Sequence, residues 1–378
     1  MIPFIKGIFF DQQIRCSKMI TGLTADDINK DIDSAFLEKT IEMLTKLRAD
    51  IQNLIDSGDL DIDQLAVNNF IRYNTFHETL QTIELFRYLV IINYGEPEVY
   101  FKRKIDRIYK EIDCLQKQPI ITTISNSDDY YWALPNYDII AVPSGEERSL
   151  LNLPDLFHEM GHLIFKQYDR FLKGDIEKDI SNFYDKEYQR IIYEQRSGAL
   201  IDFYQSKRSS WVTSWIMEFV CDLIATYLVG PSFAWTNLKI TALSSGKSKI
   251  FMETKSHPSD ESRMRAIMHM LKIMGHEQEL SQISESWNKF LTATSNPVPQ
   301  NYKYTFPDEI LQALARYVLQ GCADIGLKVY SDQLKEVENP ISKILNDAWN
   351  CMLTTPEDYA EWEKIQIEQI KHSIDATR

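Results

Sequence analysis

Cysteine is sparse in this chain of 378 residues. The five, Cys16, Cys114, Cys221, Cys322 and Cys351, are scattered, odd in number and never in C-x-x-C spacing. That pattern argues against a disulfide framework and predicts reduced thiols in a cytoplasmic setting. The start, Met1 to Lys6, lacks a basic region ahead of an apolar stretch, so no secretory signal is predicted. There is no run of basic residues with interleaved aromatics, and the net charge is −14 with a pI near 5.1. An acidic balance argues against non-specific nucleic-acid binding and against an anionic membrane surface. The apolar run from Leu85 to Ile92 contains Arg87 and is too short to span a bilayer. The longer run at 215–235 is interrupted by two acids and stopped by Gly230-Pro231, so no membrane helix is predicted there either. No repeat recurs at a fixed period.

Histidine is also scarce, with seven in the chain, yet two of them fall in His158-Glu159-Met160-Gly161-His162. This is the H-E-x-x-H pattern of zinc peptidases. On a helix, residues four apart share a face, so both imidazoles reach one metal ion. Glu159 is turned by one position, which suits a base acting on water rather than a ligand. Pro154 fits the first helical turn, and Asp155 complements its positive end. Gly161 costs about 1 kcal/mol against Ala in mid-helix, so a close packing partner is expected there. The competing reading is an amphipathic helix whose histidines only pack or hydrogen-bond.

A catalytic zinc takes three protein ligands and keeps a fourth position for water. The nearly continuous apolar segment Trp215 to Pro231 contains Glu218 and Asp222, four apart on one face. Two carboxylates in so apolar a helix are costly unless each has a partner. Glu218 as third ligand and Asp222 as the orienter of a ligand histidine satisfy both. The alternatives are two acids satisfied within an ordinary core helix, or Cys221, which lies between them, as a ligand. Further on, His257-Pro258-Ser259-Asp260-Glu261 reads as a helix start, with Met264, Ile267, Met268, Leu271 and Met274 as its buried face. At that start a neutral imidazole of His257 is favoured and could donate to an oxyanion, or it could simply cap or pack. Arg263 either braces a carboxylate at this corner or is solvated.

These three motifs in order resemble the gluzincin metallopeptidases, nearest the family of HtpX and the CAAX prenyl proteases, with H-E-x-x-H, a later E-x-x-x-D and a terminal H-P-x-x-x-x-R. The resemblance covers roughly residues 118–275. It implies that His158, His162 and Glu218 bind one Zn2+ per chain and that Glu159 is the catalytic base. By the same likeness Asp222 and Arg263 form the surrounding shell, and His257 assists in the transition state. It also implies a small sheet beside the metal helix whose edge strand pairs with an extended substrate. Unlike most members of those families, this chain carries no predicted transmembrane helix.

Strand-like runs at 118–124 and 137–143 supply candidates for that sheet. The expected fold is mainly α with a small β-sheet: a helical region at 1–117, a metallopeptidase core at 118–275 and a helical region at 276–378. In the first region, helices are expected over 24–55 with Thr24 as cap and over 62–92, and a third opens at Pro97 with Val99, Ile105, Ile108, Ile112 and Leu115 at its spacing. His77 in the second reads as an ordinary helix residue. The proline-rich stretch 292–307 is the linker candidate, followed by helices near 308–319, 341–352 and 356–374. The function expected from this reading is a cytoplasmic zinc peptidase acting on a protein or peptide, with no nucleic-acid or membrane partner. The alternative is a helical interaction or regulatory protein with a structural or vestigial metal site. Oligomeric state is not legible.

Overall fold

A computed structural model describes residues 2–24, 28–112, 118–125, 131–143, 149–194, 198–244 and 250–375. The fold is mainly α with one small three-stranded sheet, as expected. The chain divides into two compact units, one of Met1–Lys102 with Ile120–Ser125, the other of Arg103–Pro119 with Asn126–Arg378.

The first unit contains α1 (Ile2–Leu23), α2 (Ser34–Asp56), α3 (Ala66–Ile83), α4 (Leu89–Ile92), the first half of α5 (Glu96–Ile112) and β1 (Ile120–Ser125). Thr24 does not cap α2. Its backbone N–H and its hydroxyl both donate to the Ile20 carbonyl, so it closes α1 instead. The cap of α2 is Asp33, whose carboxylate accepts from the Phe36 N–H at 2.7 Å, a stronger arrangement than a hydroxyl offers. From there Phe36, Thr40, Leu44, Leu47 and Ile51 are buried at helical spacing. The expected second helix is broken into α3, a π-turn at Glu84–Tyr88, and α4. The π-turn aims Arg87 inward, where it donates to the Thr40 hydroxyl and the Phe36 carbonyl. Period counting cannot register such an inserted residue. Within the same unit, Glu98 accepts from the N–H groups of Gly95 and Thr123, tying the start of α5 to β1. Leu115 and Cys114 lie outside the described residues.

The second unit holds β2 (Trp132–Leu134), β3 (Ile139–Pro143), α6 (Pro154–Lys173), α7 (Ile176–Tyr193), α8 (Gly198–Ser210), α9 (Ile216–Val229), α10 (Pro231–Ser244) and α11 (Asp260–Ile273). It continues with α12 (Glu277–Thr294), α13 (Tyr302–Thr305), α14 (Asp308–Asp324), α15 (Tyr330–Glu336), α16 (Ile341–Thr354) and α17 (Tyr359–Asp375). β2 and β3 are antiparallel with Ala133 opposite Ile140, and every residue of β3 is buried. The central helix is α9, buried along nearly its whole length. One end of it is anchored by stacking of Trp211 on Phe219 and of Trp215 against Phe306. The other end stops at Gly230, whose φ of 60° is open to glycine, and Pro231 starts α10. The segment Gly198–Val229 is long and apolar enough to cross a membrane by length and composition; 78% of its most apolar window is buried inside the protein.

The stretch 292–307 is not a free linker. α12 runs to Thr294, and α13 then packs Tyr302 and Thr305 inward. The Tyr302 hydroxyl donates to Glu261 at 2.7 Å, so aromatic anchoring outweighs the three prolines. The helices after residue 275 belong to the same unit as α6 and α9.

Candidate metal centre

α6 opens with Pro154 in its first turn and carries His158 and His162 on one face, their rings 4.9 Å apart and nearly perpendicular. α9 crosses it closely. A Cβ on Gly161 would lie 2.9 Å from the Cα of Cys221, so the mid-helix glycine is what lets the two backbones approach. That crossing delivers Glu218 to the histidines. Its carboxylate oxygens lie 3.6 Å from His158 Nε2 and 3.9 Å from His162 Nε2.

His158, His162 and Glu218 present one ligand atom each, all within 4.8 Å of one another, and this group could hold a metal ion. Donors on a four-coordinate ion with bonds of ~2.1 Å stand ~3.4 Å apart, so the Glu218 spacings of 3.6 and 3.9 Å are close to what one ion needs, while a pair near the 4.8 Å limit would have to close by ~1 Å. Two imidazole nitrogens and a carboxylate are a donor set for a borderline divalent cation. Cys221 is not in the group; its place is beneath Gly161.

The surroundings fix the donors. Asp222 Oδ1 lies 2.8 Å from His158 Nδ1, which puts the N–H there and leaves Nε2 for a ligand bond. Arg263, from α11, donates to both Asp222 oxygens at 2.7 and 2.6 Å. Phe233 of α10 stacks parallel to His158 at 6.5 Å. Side chains from three helices, α9, α10 and α11, therefore hold the first histidine.

Charge follows this arrangement. Burial pushes the Asp222 carboxyl up, but Arg263 and the His158 hydrogen bond outweigh it and hold it at about 2. Glu218 is likewise held at about 2, burial being overcome by the hydrogen bond and charge of His158. Burial opposes the charged form of His158, yet its bonds to Asp222 and Glu218 push it well above the usual imidazole range. Without an ion, a proton on that ring serves as the cation between two carboxylates. Burial, reinforced by the charge of His158, lowers His162 to about 4. Burial raises Glu159 to about 8 and Asp155 to about 6.

The group opens on a cleft of about 770 Å³. β2 contributes Trp132 and Ala133 to one wall, and Phe165, Met217 and Ile240 add apolar surface. Glu159 lines the cleft, and no hydrogen bond from the described residues reaches its carboxyl. His257 sits in the loop before α11, which Ser259 caps by accepting from Ser262 N–H. Its side chain is 60% exposed, with Nδ1 2.9 Å from the Ser256 hydroxyl and Nε2 3.9 Å from Glu218. His77 lies in the first unit, stacked on Tyr73.

His158, Glu159, His162, Glu218, His257 and Arg263 therefore line one cleft, and Asp222 lies buried behind them. Sequence reasoning missed Phe233, and it missed the cleft wall formed by β2, a strand of three residues. A scan against protein-family models, a search of curated proteins and a search of solved structures each found no match.

Proposed function

We propose that this chain is a zinc-dependent peptidase of gluzincin type. The observation that carries the reading is the joining of the three sequence motifs at one place: the donor group His158, His162 and Glu218, with Asp222 and Arg263 behind it and Glu159 free on the cleft side. A bound zinc supplies Lewis acidity toward a carbonyl and lowers the pKa of water.

The chain's own residues do the rest. Glu159 accepts a proton from the attacking water at its carboxylate and returns it to the leaving amine, as a shared base and acid must. Asp222, clamped by Arg263, keeps a proton on His158 Nδ1 and so leaves Nε2 to serve, with His162 and Glu218, as a donor to a bound ion. His257, at the cleft edge, donates toward the oxygen that becomes negative. The apolar walls beside β2 accept an extended chain. Cys16, Cys221, Cys322 and Cys351 form no disulfide among the described residues, which suits a cytoplasmic setting.

Glu159→Gln tests this directly. The variant is expected to retain metal and to lose peptide hydrolysis by at least about a hundredfold, as loss of a general base does. Hydrolysis at the wild-type rate would refute the assignment.

A further inference from the structure

The cleft holds one carboxyl that the hydrolytic reading leaves unused. Asp155 lies four residues before Glu159 on α6, so the two share a face, and both line the cleft. Asp155 is half-buried, and neither a hydrogen bond nor a salt bridge from the described residues reaches its carboxyl. The cations nearest in effect are His158 and Arg263, and both are committed to Asp222. Lys166, also on the wall, donates to the Pro135 carbonyl at 2.5 Å. A carboxyl so placed carries a desolvation cost that a bound cation would offset.

α10 adds a second unmet group. Phe233 stacks on His158 and Ile240 lines the cleft. Asn237, four residues after the one and three before the other, lies on the same helix face. It is 7% exposed, and its amide nitrogen has no hydrogen-bond partner.

We propose that this wall is a recognition subsite for a positively charged group on a peptide, Asp155 pairing with the cation and Asn237 donating to a neighbouring carbonyl. The proposal rests on the peptidase reading for the nature of the ligand. Residues four apart on a helix stand ~6 Å apart, so the cation would lie within about two residues of the bond at Glu159. The charge is either the amino terminus of the peptide or a Lys or Arg side chain.

The test uses zinc-treated Glu159→Gln protein and three fluorescent peptides of one sequence. The first has a free amino terminus and norleucine, the second an acetylated terminus and lysine, the third an acetylated terminus and norleucine. Either the first or the second is expected to bind at least about tenfold more tightly than the third, and which one does so identifies the source of the charge. Adding Asp155→Asn is expected to bring that ratio to within about twofold, while Asn237→Leu weakens all three peptides together. Equal affinities in the parent protein, or a preference that survives Asp155→Asn, would overturn the proposal. Charge-selective binding without cleavage by zinc-loaded wild type overturns the peptidase reading and leaves the subsite standing. Cleavage without selectivity does the reverse.

Discussion

Glu159 on the cleft and Asp222 buried behind it have opposite electrostatic surroundings. Glu159 is pushed up to about 8 from an ordinary 4.5, chiefly by burial. A raised carboxyl contributes stability that is complete below pH 4.5 and is lost as pH rises through 8. At pH 7 about two thirds of it is gone, a cost on the order of 3 kcal/mol in the metal-free protein. Glutamine cannot ionise, so Glu159→Gln is expected to raise the melting temperature at pH 7 and to flatten its fall between pH 5 and pH 8. Thermal unfolding across that range, with metal removed by chelation, reads both effects; an unchanged slope would contradict the burial argument. Asp222 is the reverse case. Held at about 2 against an ordinary 3.8, it contributes stability above pH 3.8 that is lost as pH falls through 2. Asp222→Asn leaves the half-buried Arg263 without its charge partner, so a loss of about 2 kcal/mol in denaturant unfolding is expected, with metal affinity down roughly tenfold to a hundredfold.

At the scale of elements, the α6–α9 crossing decides where Glu218 meets the histidines. Helix propensity alone favours Gly161→Ala by about 1 kcal/mol. The added methyl would meet the α9 backbone at 2.9 Å, where no side-chain rotation gives relief. Crowding therefore dominates, and urea unfolding of Gly161→Ala is expected to show a net loss of about 1–3 kcal/mol together with weaker metal binding. A stabilised variant would show that the helices do not approach this closely. Much of this was legible from residue types alone, because chemistry constrained them: a glycine inside an H-E-x-x-H helix needs a close neighbour, and two acids in an apolar helix need partners. Apolar spacing likewise located the long helices. What escaped was set by geometry without periodic signal. The π-turn at Glu84–Tyr88 shifts the helical phase by one residue. The cap of α2 passed from Thr24 to Asp33 because a threonine hydroxyl also donates backward into a preceding helix. β2 is too short to alternate. The position of Phe233 over His158 depends on a tertiary contact between α10 and α6.

For the whole molecule, the donor group and its supporting shell lie within one compact unit, drawn from α6, α9 and α11. The helices after residue 275 are built into that unit rather than appended to it; Arg265 of α11, for example, donates to the Phe306 carbonyl ahead of α14. A site assembled from elements so far apart in sequence exists only in the folded chain, so any metal held there would stabilise the fold. The central claim is that these three side chains hold an ion. It is tested most directly by elemental mass spectrometry of wild type and Glu218→Ala, purified side by side without added zinc. About one zinc per wild-type chain, sharply reduced in the variant, is the predicted result. A wild type that takes up no metal even when zinc is offered, or a variant that keeps its full share, would contradict it.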